Sequence, residues 1–128
     1  MAFVRHGLIR SYSLKAGKEV SHAFYQENTL FYDNHSFLSG QTCKKTYEAL
    51  ENGELFFIDR KHLHSLYERH KSFERLGRLA VEHAIKSMER INHGTAGEGY
   101  GHLLVHHKGL LERVLQKLIA SFLSISQN

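Results

Sequence analysis

The residues best suited to chemistry in this sequence are its 11 histidines and its single cysteine, Cys43. His102 and His106 are four residues apart, so both imidazoles share one face if this segment is helical. No HExxH motif, nearby cysteine or acidic pair completes the ligand set of a zinc site. His62 and His64 are two residues apart and point in different directions on a helix. The sequence therefore predicts surface histidines, no metal site and no cofactor.

Motifs that would mark an enzyme are missing from the sequence. It contains no G-x-G-x-x-G, P-loop or G-x-S-x-G pattern, and we do not expect an enzyme. One cysteine excludes an internal disulfide and a four-thiolate cluster, which favours a cytoplasmic protein. No apolar run reaches the roughly 18 residues that a membrane-spanning helix needs, so we expect no membrane partner.

Size and charge are typical of a small globular protein with a basic second half. The 128 residues are 41% apolar and 23% charged, which argues against disorder. Residues 1–59 carry 6 Lys/Arg and 7 Asp/Glu, whereas residues 60–128 carry 11 and 6. A polyanion such as DNA would contact the second half, although a solvated helical surface accounts for the same charges.

Alternating apolar residues predict strands in the first half, and a period of about 3.6 residues predicts helices in the second. The fold class is therefore α+β. Strands are expected at 8–14, 19–25, 46–50 and 55–58, with Gly17 in the first turn and Glu51-Asn52-Gly53 joining the last two. Asp59 is expected to cap a short helix, followed by a helix over 73–92, a short one suggested by 102–107 and 110–111, and a last one over 115–123.

One face of the segment 73–91 is apolar and includes small residues. Two interpretations fit this stripe: core packing against the strands, or pairing with the same helix of a second chain. The residues that would face the second chain are Gly77, Ala80, Val81, Ala84, Ile85, Met88 and Ile91.

The terminal segment contains an apolar helix with an alanine at its centre, followed by a short turn. This order is typical of the first helix of a helix-turn-helix, because the second helix crosses close to the alanine. The residues of this helix are Gln116, Lys117, Ile119, Ala120 and Ser121. An ordinary amphipathic helix at the end of the chain fits the same pattern.

Several short motifs, taken together and in order, resemble the Crp/Fnr family of bacterial transcription regulators, and most closely its Bacteroidetes-type subgroup. The motifs are Phe3-Val4-x-x-Gly7-Leu8-Ile9-Arg10, Gly17-Lys18-Glu19, Ser36-Phe37-Leu38-Ser39-Gly40, Tyr47-Glu48-Ala49-Leu50-Glu51-Asn52, Phe73-Glu74-Arg75-Leu76-Gly77-Arg78 and Gln116-Lys117-Leu118-Ile119-Ala120-Ser121-Phe122-Leu123.

The resemblance implies an architecture of three parts. Residues 1–70 would form part of a cyclic-nucleotide-binding-like β-roll, here its second half, with a short following helix. Residues 71–94 would be a long dimerisation helix, and residues 95–128 the start of a winged helix-turn-helix. A homodimer, or a heterodimer with a relative, is the implied assembly, and DNA the implied partner.

Compared with that family, the chain looks truncated at both ends. The opening strands of the roll are missing before Phe3-Val4, which would open sheet edges at Leu8–Leu14 and Leu55–Ile58 and leave the β half loose. The recognition helix would begin where the chain stops, so we expect weak or non-specific DNA binding. The alternative function is a dimerisation module that does not bind DNA and acts on a full-length relative.

The phosphate site of nucleotide-binding members is also altered. Cys43 and Lys44 stand where the family places an arginine and a serine or threonine, so the phosphate would lose its bidentate partner. We therefore expect that cyclic AMP is not the effector, whose identity the sequence leaves open. Weak candidates for lining an effector pocket are Phe31, Phe37, Lys44 and Tyr47.

Overall fold

A computed structural model describes the backbone of residues 1–91 and 108–125, and the side chains of residues 1–82 and 109–123. Within these ranges the chain forms six strands and five helices, and the predicted α+β class is confirmed. The strands are β1 (Ala2–His6), β2 (Ile9–Lys15), β3 (Lys18–Tyr25), β4 (Leu30–Phe31), β5 (Thr46–Ala49) and β6 (Glu54–Phe57). The helices are α1 (Asn34–Ser39), α2 (Arg60–Arg69), α3 (Lys71–Ile91), α4 (Lys108–Arg113) and α5 (Gln116–Ile125).

The strands form two antiparallel sheets. Sheet A has the order β4-β1-β6, and sheet B has the order β3-β2-β5. The predicted hairpin of β2 and β3 is confirmed, and its turn holds Ala16 and Gly17 at φ values of 51° and 77°. Two consecutive positive φ values match the right-handed twist of the paired strands, and glycine adopts them without steric cost.

The sheet edges differ from those that the sequence predicts. β2 lies between β3 and β5, so the expected open edge at Leu8–Leu14 is wrong, whereas β6 does have one unpaired side within its sheet. β1, which the sequence analysis does not predict as a strand, provides the other neighbour of β6. β5 and β6 follow each other in the chain but enter different sheets. The bend between them crosses the end of β1, where a side chain at Gly53 would collide with the carbonyl oxygen of His6.

Two apolar clusters hold these elements together. Val4, Ile9 and Phe31 are buried and join sheet A to sheet B. Leu8 is fully buried in the second cluster, where it packs against the terminal helices. The buried members of that cluster on α4, α5 and the link between them are Leu110, Val114 and Ile119. Helices α4 and α5 are therefore part of the folded core around sheet B.

Two helices begin directly after an aspartate whose side chain caps the helix. The Asp59 carboxylate accepts a 2.8 Å hydrogen bond from the His62 backbone N–H, which confirms Asp59 as the cap of α2. Asp33 caps α1 in the same way. The helix end expected at residue 92, and residues 102–107 of the next predicted helix, lie outside the described residues, whereas residues 110–111 of that predicted helix lie in α4. In the described part of the chain, no helix is both long and apolar enough to cross a membrane.

Candidate functional site

Three aromatic rings fill the space between the two sheets. Tyr25 stacks on Phe31 with ring centroids 4.4 Å apart, and Tyr47 stacks on the same phenylalanine at 5.4 Å. Burial raises the pKa of both tyrosine phenols, so these groups stay protonated and neutral. The structure thus brings together two of the predicted pocket residues, Phe31 and Tyr47, as contacting core side chains.

An acidic side chain lies beside this ring cluster. The Asp33 carboxylate accepts a 2.7 Å hydrogen bond from the Ser36 backbone N–H, and Lys45 Nζ lies 3.5 Å away from it. Although burial opposes the shift, these partners keep the pKa of Asp33 below its ordinary value. The Cys43 thiol donates to the Lys45 carbonyl oxygen, and the Lys44 side chain is exposed. Lys45 therefore already has the Asp33 carboxylate as its partner.

Phe37, the fourth predicted pocket residue, lies in a different place. It packs on Tyr32 with ring centroids 5.3 Å apart and lines a groove of about 330 Å³ between α1, α2 and α3. The floor of this groove contains Tyr67 and Gly77. A Cβ atom at position 77 would collide with the Tyr67 hydroxyl, so the glycine serves a contact within the chain.

Helix α3 carries exposed apolar side chains on more than one face. Leu76 is 56% exposed and Leu79 48%, and Val81, which belongs to the predicted stripe, is 39% exposed on another side of the helix. Ala80 is half-buried. The other residues predicted to face a second chain lie on α3, but their side chains are outside the described ranges; they are Ala84, Ile85, Met88 and Ile91.

Basic residues from the second half of the chain line a wide surface groove. Arg60, Lys61 and His64 border a depression of about 670 Å³ together with Glu68. Among the described side chains, no group of three or more His, Cys, Asp or Glu residues is placed to hold a metal ion. His62 instead contacts the capping carboxylate of Asp59 at 2.8 Å, and His102 and His106 lie outside the described residues.

Helix α5, which contains the predicted helix-turn-helix residues, packs on sheet B. Ile119 is 5% exposed and lies in the cluster around Leu8. The Ser121 hydroxyl accepts a 3.0 Å bond from the Ser21 backbone N–H and donates to the Glu19 carbonyl oxygen at 3.2 Å. The other predicted residues of this helix, Gln116, Lys117 and Ala120, are exposed.

Arg113, at the end of α4, binds two carboxylates from the loops that connect the strands. Its guanidinium donates two 2.8 Å hydrogen bonds to Glu27 and two more, of 2.7 and 2.6 Å, to Glu51. These bonds lower the pKa of Glu27 to about 2 and also lower the pKa of Glu51. Sequence patterns do not reveal this cluster, because Arg113 is separated from Glu51 by 62 positions and from Glu27 by 86.

A second arginine, Arg10 of β2, is buried within sheet B. Its guanidinium lies 2.6 Å from the Glu19 carboxylate, 2.8 Å from that of Glu48, and over the ring of Tyr12 at 4.2 Å from the centroid. Two carboxylates balance this charge and leave it unsuited to capture an anion. Its Nε has no hydrogen-bond partner in the described part of the chain.

Comparison with known proteins adds a family to this geometry. The family model described as the cyclic nucleotide-binding domain matches residues 1–70, which hold both sheets, α1 and α2. A search of curated proteins gives no significant match to the chain.

Proposed function

Because the chain belongs to the cyclic nucleotide-binding domain family, we propose that it is a Crp/Fnr-type transcription regulator acting in the cytoplasm. The observation that carries this proposal is the order of parts: the family domain over 1–70 is followed at once by the 21-residue helix α3. Basic residues are concentrated in residues 60–128, where a regulator of this type would contact DNA.

We infer that the effector of this domain is not cyclic AMP. Cys43 and Lys44 replace the arginine and hydroxyl residue that hold the phosphate in nucleotide-binding members, so no guanidinium is supplied there. The nearby Asp33 carboxylate would repel a phosphodiester, and Lys45 is already engaged with it. The stacked rings of Tyr25, Phe31 and Tyr47 further favour a role as packed core over a base-binding cavity.

We also propose that sequence-specific DNA binding by this 128-residue chain is impaired. The support comes from α5, whose Ile119 and Ser121 are engaged on sheet B. Ala120, where a second helix would cross, stays exposed, so the effect of docking is that sheet B rather than DNA fixes the position of α5. Residual binding would then come from exposed basic side chains and would not depend on base sequence.

Dimerisation through α3 is the third part of the proposal, and Val81, a residue of the predicted stripe that is 39% exposed, supports it. Sedimentation over a concentration series tests it, with Val81→Ser as the variant. We expect a dimer whose dissociation constant rises in the variant. A monomer at about 100 μM, far above the micromolar range of ordinary interfaces, contradicts dimerisation.

A second candidate function is a dimerisation module that does not bind DNA and pairs with a full-length relative. The specific observation in its favour is the combination of exposed apolar side chains on α3 with a docked α5. Titration with DNA separates the two candidates, because the module would show no binding even at low salt, where phosphate contacts are strongest.

A further inference from the structure

We propose that helices α4 and α5 form a latch on sheet B, which the Arg113 clamp holds closed and which opens without unfolding the two sheets. The term latch is used here for residues 108–125. The proposal requires neither DNA binding nor dimerisation, so it stands or falls separately from the function proposed above.

The latch combines apolar contacts with one set of charged contacts. Within it, the buried apolar side chains are Leu110, Val114 and Ile119, and Leu111, Leu118, Phe122 and Leu123 are partly buried against the same cluster. Leu115 beside them is 64% exposed. By contrast, one guanidinium makes four charge-assisted hydrogen bonds to Glu27 and Glu51. Such bonds are strong when geometry is good but depend on both partners and are weakened by salt. A contact of this kind can release a segment while the apolar core between the sheets stays intact.

The two carboxylates belong to loops that the sheets hold in place. Glu27 lies in the β3–β4 connection and also accepts a 3.0 Å hydrogen bond from the Gly7 backbone N–H. Its neighbour Asn28 donates to the Val4 carbonyl oxygen of β1 at 2.8 Å. Glu51 lies in the β5–β6 connection, where the backbone N–H of its neighbour Leu50 donates to the Leu8 carbonyl oxygen at 2.9 Å. Arg113 therefore binds a preformed pair of acceptors, and both loops keep separate anchors to the sheets if the latch leaves.

The β3–β4 connection also gives the latch a physical link to the interior of the domain. It leads from Tyr25 through Glu27 to Phe31, and those two aromatic residues form the stacked pair between the sheets. A change that shifts this pair must move the connection that carries Glu27. By linkage, the same coupling would let latch opening alter the interior. The latch is thus placed to report the state of the space between the sheets.

Hydrogen–deuterium exchange on the full chain tests this proposal, with Arg113→Gln as the variant. Loss of four charged hydrogen bonds should raise exchange in residues 108–125 by about tenfold or more. The Ser21 amide, which donates to Ser121, should also exchange faster, whereas β1 and the β2–β5 pairing keep wild-type protection. Arg78→Gln is the matched control, because Arg78 makes a single exposed contact with Glu82 on α3. We expect it to leave residues 108–125 unchanged.

Salt provides a second measurement, which can be made on the wild-type chain alone. Raising ionic strength from about 0.05 M to about 0.5 M should accelerate exchange of the latch in the wild-type chain, since salt screens partly exposed pairs. It should not do so in Arg113→Gln. The proposal is overturned if wild-type latch exchange does not respond to salt. It is also overturned if the variant accelerates exchange equally in all strands, because the clamp would then be an inseparable part of the fold.

Discussion

Arg113 and Glu51, which are 62 positions apart in the chain, form a two-point pair with N···O distances of 2.7 and 2.6 Å. This pair joins the end of α4 to the bend between the two sheets. A planar guanidinium facing a carboxylate in this way fixes orientation as well as distance. The pair adds an oriented polar contact to the apolar cluster that holds the terminal helices against sheet B.

The clamp should make stability fall in acid. The pKa of Glu27 is lowered from 4.5 to about 2 and that of Glu51 is also lowered, so the unfolded state binds more protons in this range. The stabilisation is fully present above pH 4.5 and is lost as pH falls toward 2. Denaturant midpoints at pH 7, 4.5 and 3 measure it. Arg113→Gln should show a flatter acid dependence than wild type, since the pKa values of both carboxyl groups move back toward 4.5, although backbone N–H groups still lower that of Glu27.

The matched control for that series is Glu54→Gln, because Glu54 pairs with Arg5 in an exposed contact at 3.2 Å. It should follow the wild-type curve, including the background from Asp33 and Asp59, whose pKa values are also lowered. Equal acid dependence in wild type and Arg113→Gln would show that the clamp contributes nothing to linkage.

Gly77→Ala should destabilise the packing of α3 on α2 by about 1–2 kcal/mol, because the new methyl group collides with the Tyr67 hydroxyl. Gly109→Ala is the control: nothing lies within 4 Å of its added methyl group, and alanine favours a helix by about 0.4–1 kcal/mol. Denaturation followed by circular dichroism measures both. Tyr67→Phe removes the colliding oxygen and should rescue Gly77→Ala. A stabilised Gly77→Ala would contradict this packing.

The free edge of β6 should promote aggregation. Leu55, Phe56 and Phe57 are all exposed there, and Phe57 is 81% exposed beside unpaired backbone groups. Phe57→Lys should slow aggregation with little change in stability, as light scattering and denaturation would record. Leu38→Lys is the control, because Leu38 is an apolar residue that is 66% exposed on a helix, and this change should help less. If the two variants behave alike, the sheet edge is not the cause.

Cyclic AMP should not bind. A ligand that binds only the folded state raises the melting temperature, by an amount that grows with concentration above its dissociation constant. We expect no shift at about 1 mM, with a nucleotide-binding member of the family as positive control. A saturable rise in melting temperature would show that the Cys43 and Lys44 positions do not abolish nucleotide binding.

Local signals in the sequence predict much of the fold. Gly17 in a two-residue turn and Asp59 before a helix act through neighbours along the chain, and both appear as predicted. β1 is missed because five residues near a terminus show too little alternation to identify a strand. Its pairing with β6 joins residues that are 48 to 55 positions apart, and no local pattern encodes such a distance.

The same limit applies to the candidate site, where sequence identifies some residues but not the contacts that depend on the folded chain. Phe31 and Tyr47 are found by sequence and lie together, but Phe37, three residues from the start of its helix, points to a separate groove. Gly77 is found as a small residue, yet its contact is with Tyr67 in the same chain. Arg113 carries no signal at all, since an arginine near the end of a helix is ordinary. Its role depends on two loops that only the folded sheets bring together.

The central claim is that this chain is a regulator that binds DNA without reading its sequence well. Fluorescence anisotropy with a labelled random duplex and with promoter duplexes from a regulator of this type, over a series of salt concentrations, tests it most directly. We predict measurable binding at low salt, a steep loss of affinity as salt rises, and similar affinities for all duplexes. Absence of binding at low salt, or a preference above about a thousandfold for one duplex, would contradict the claim.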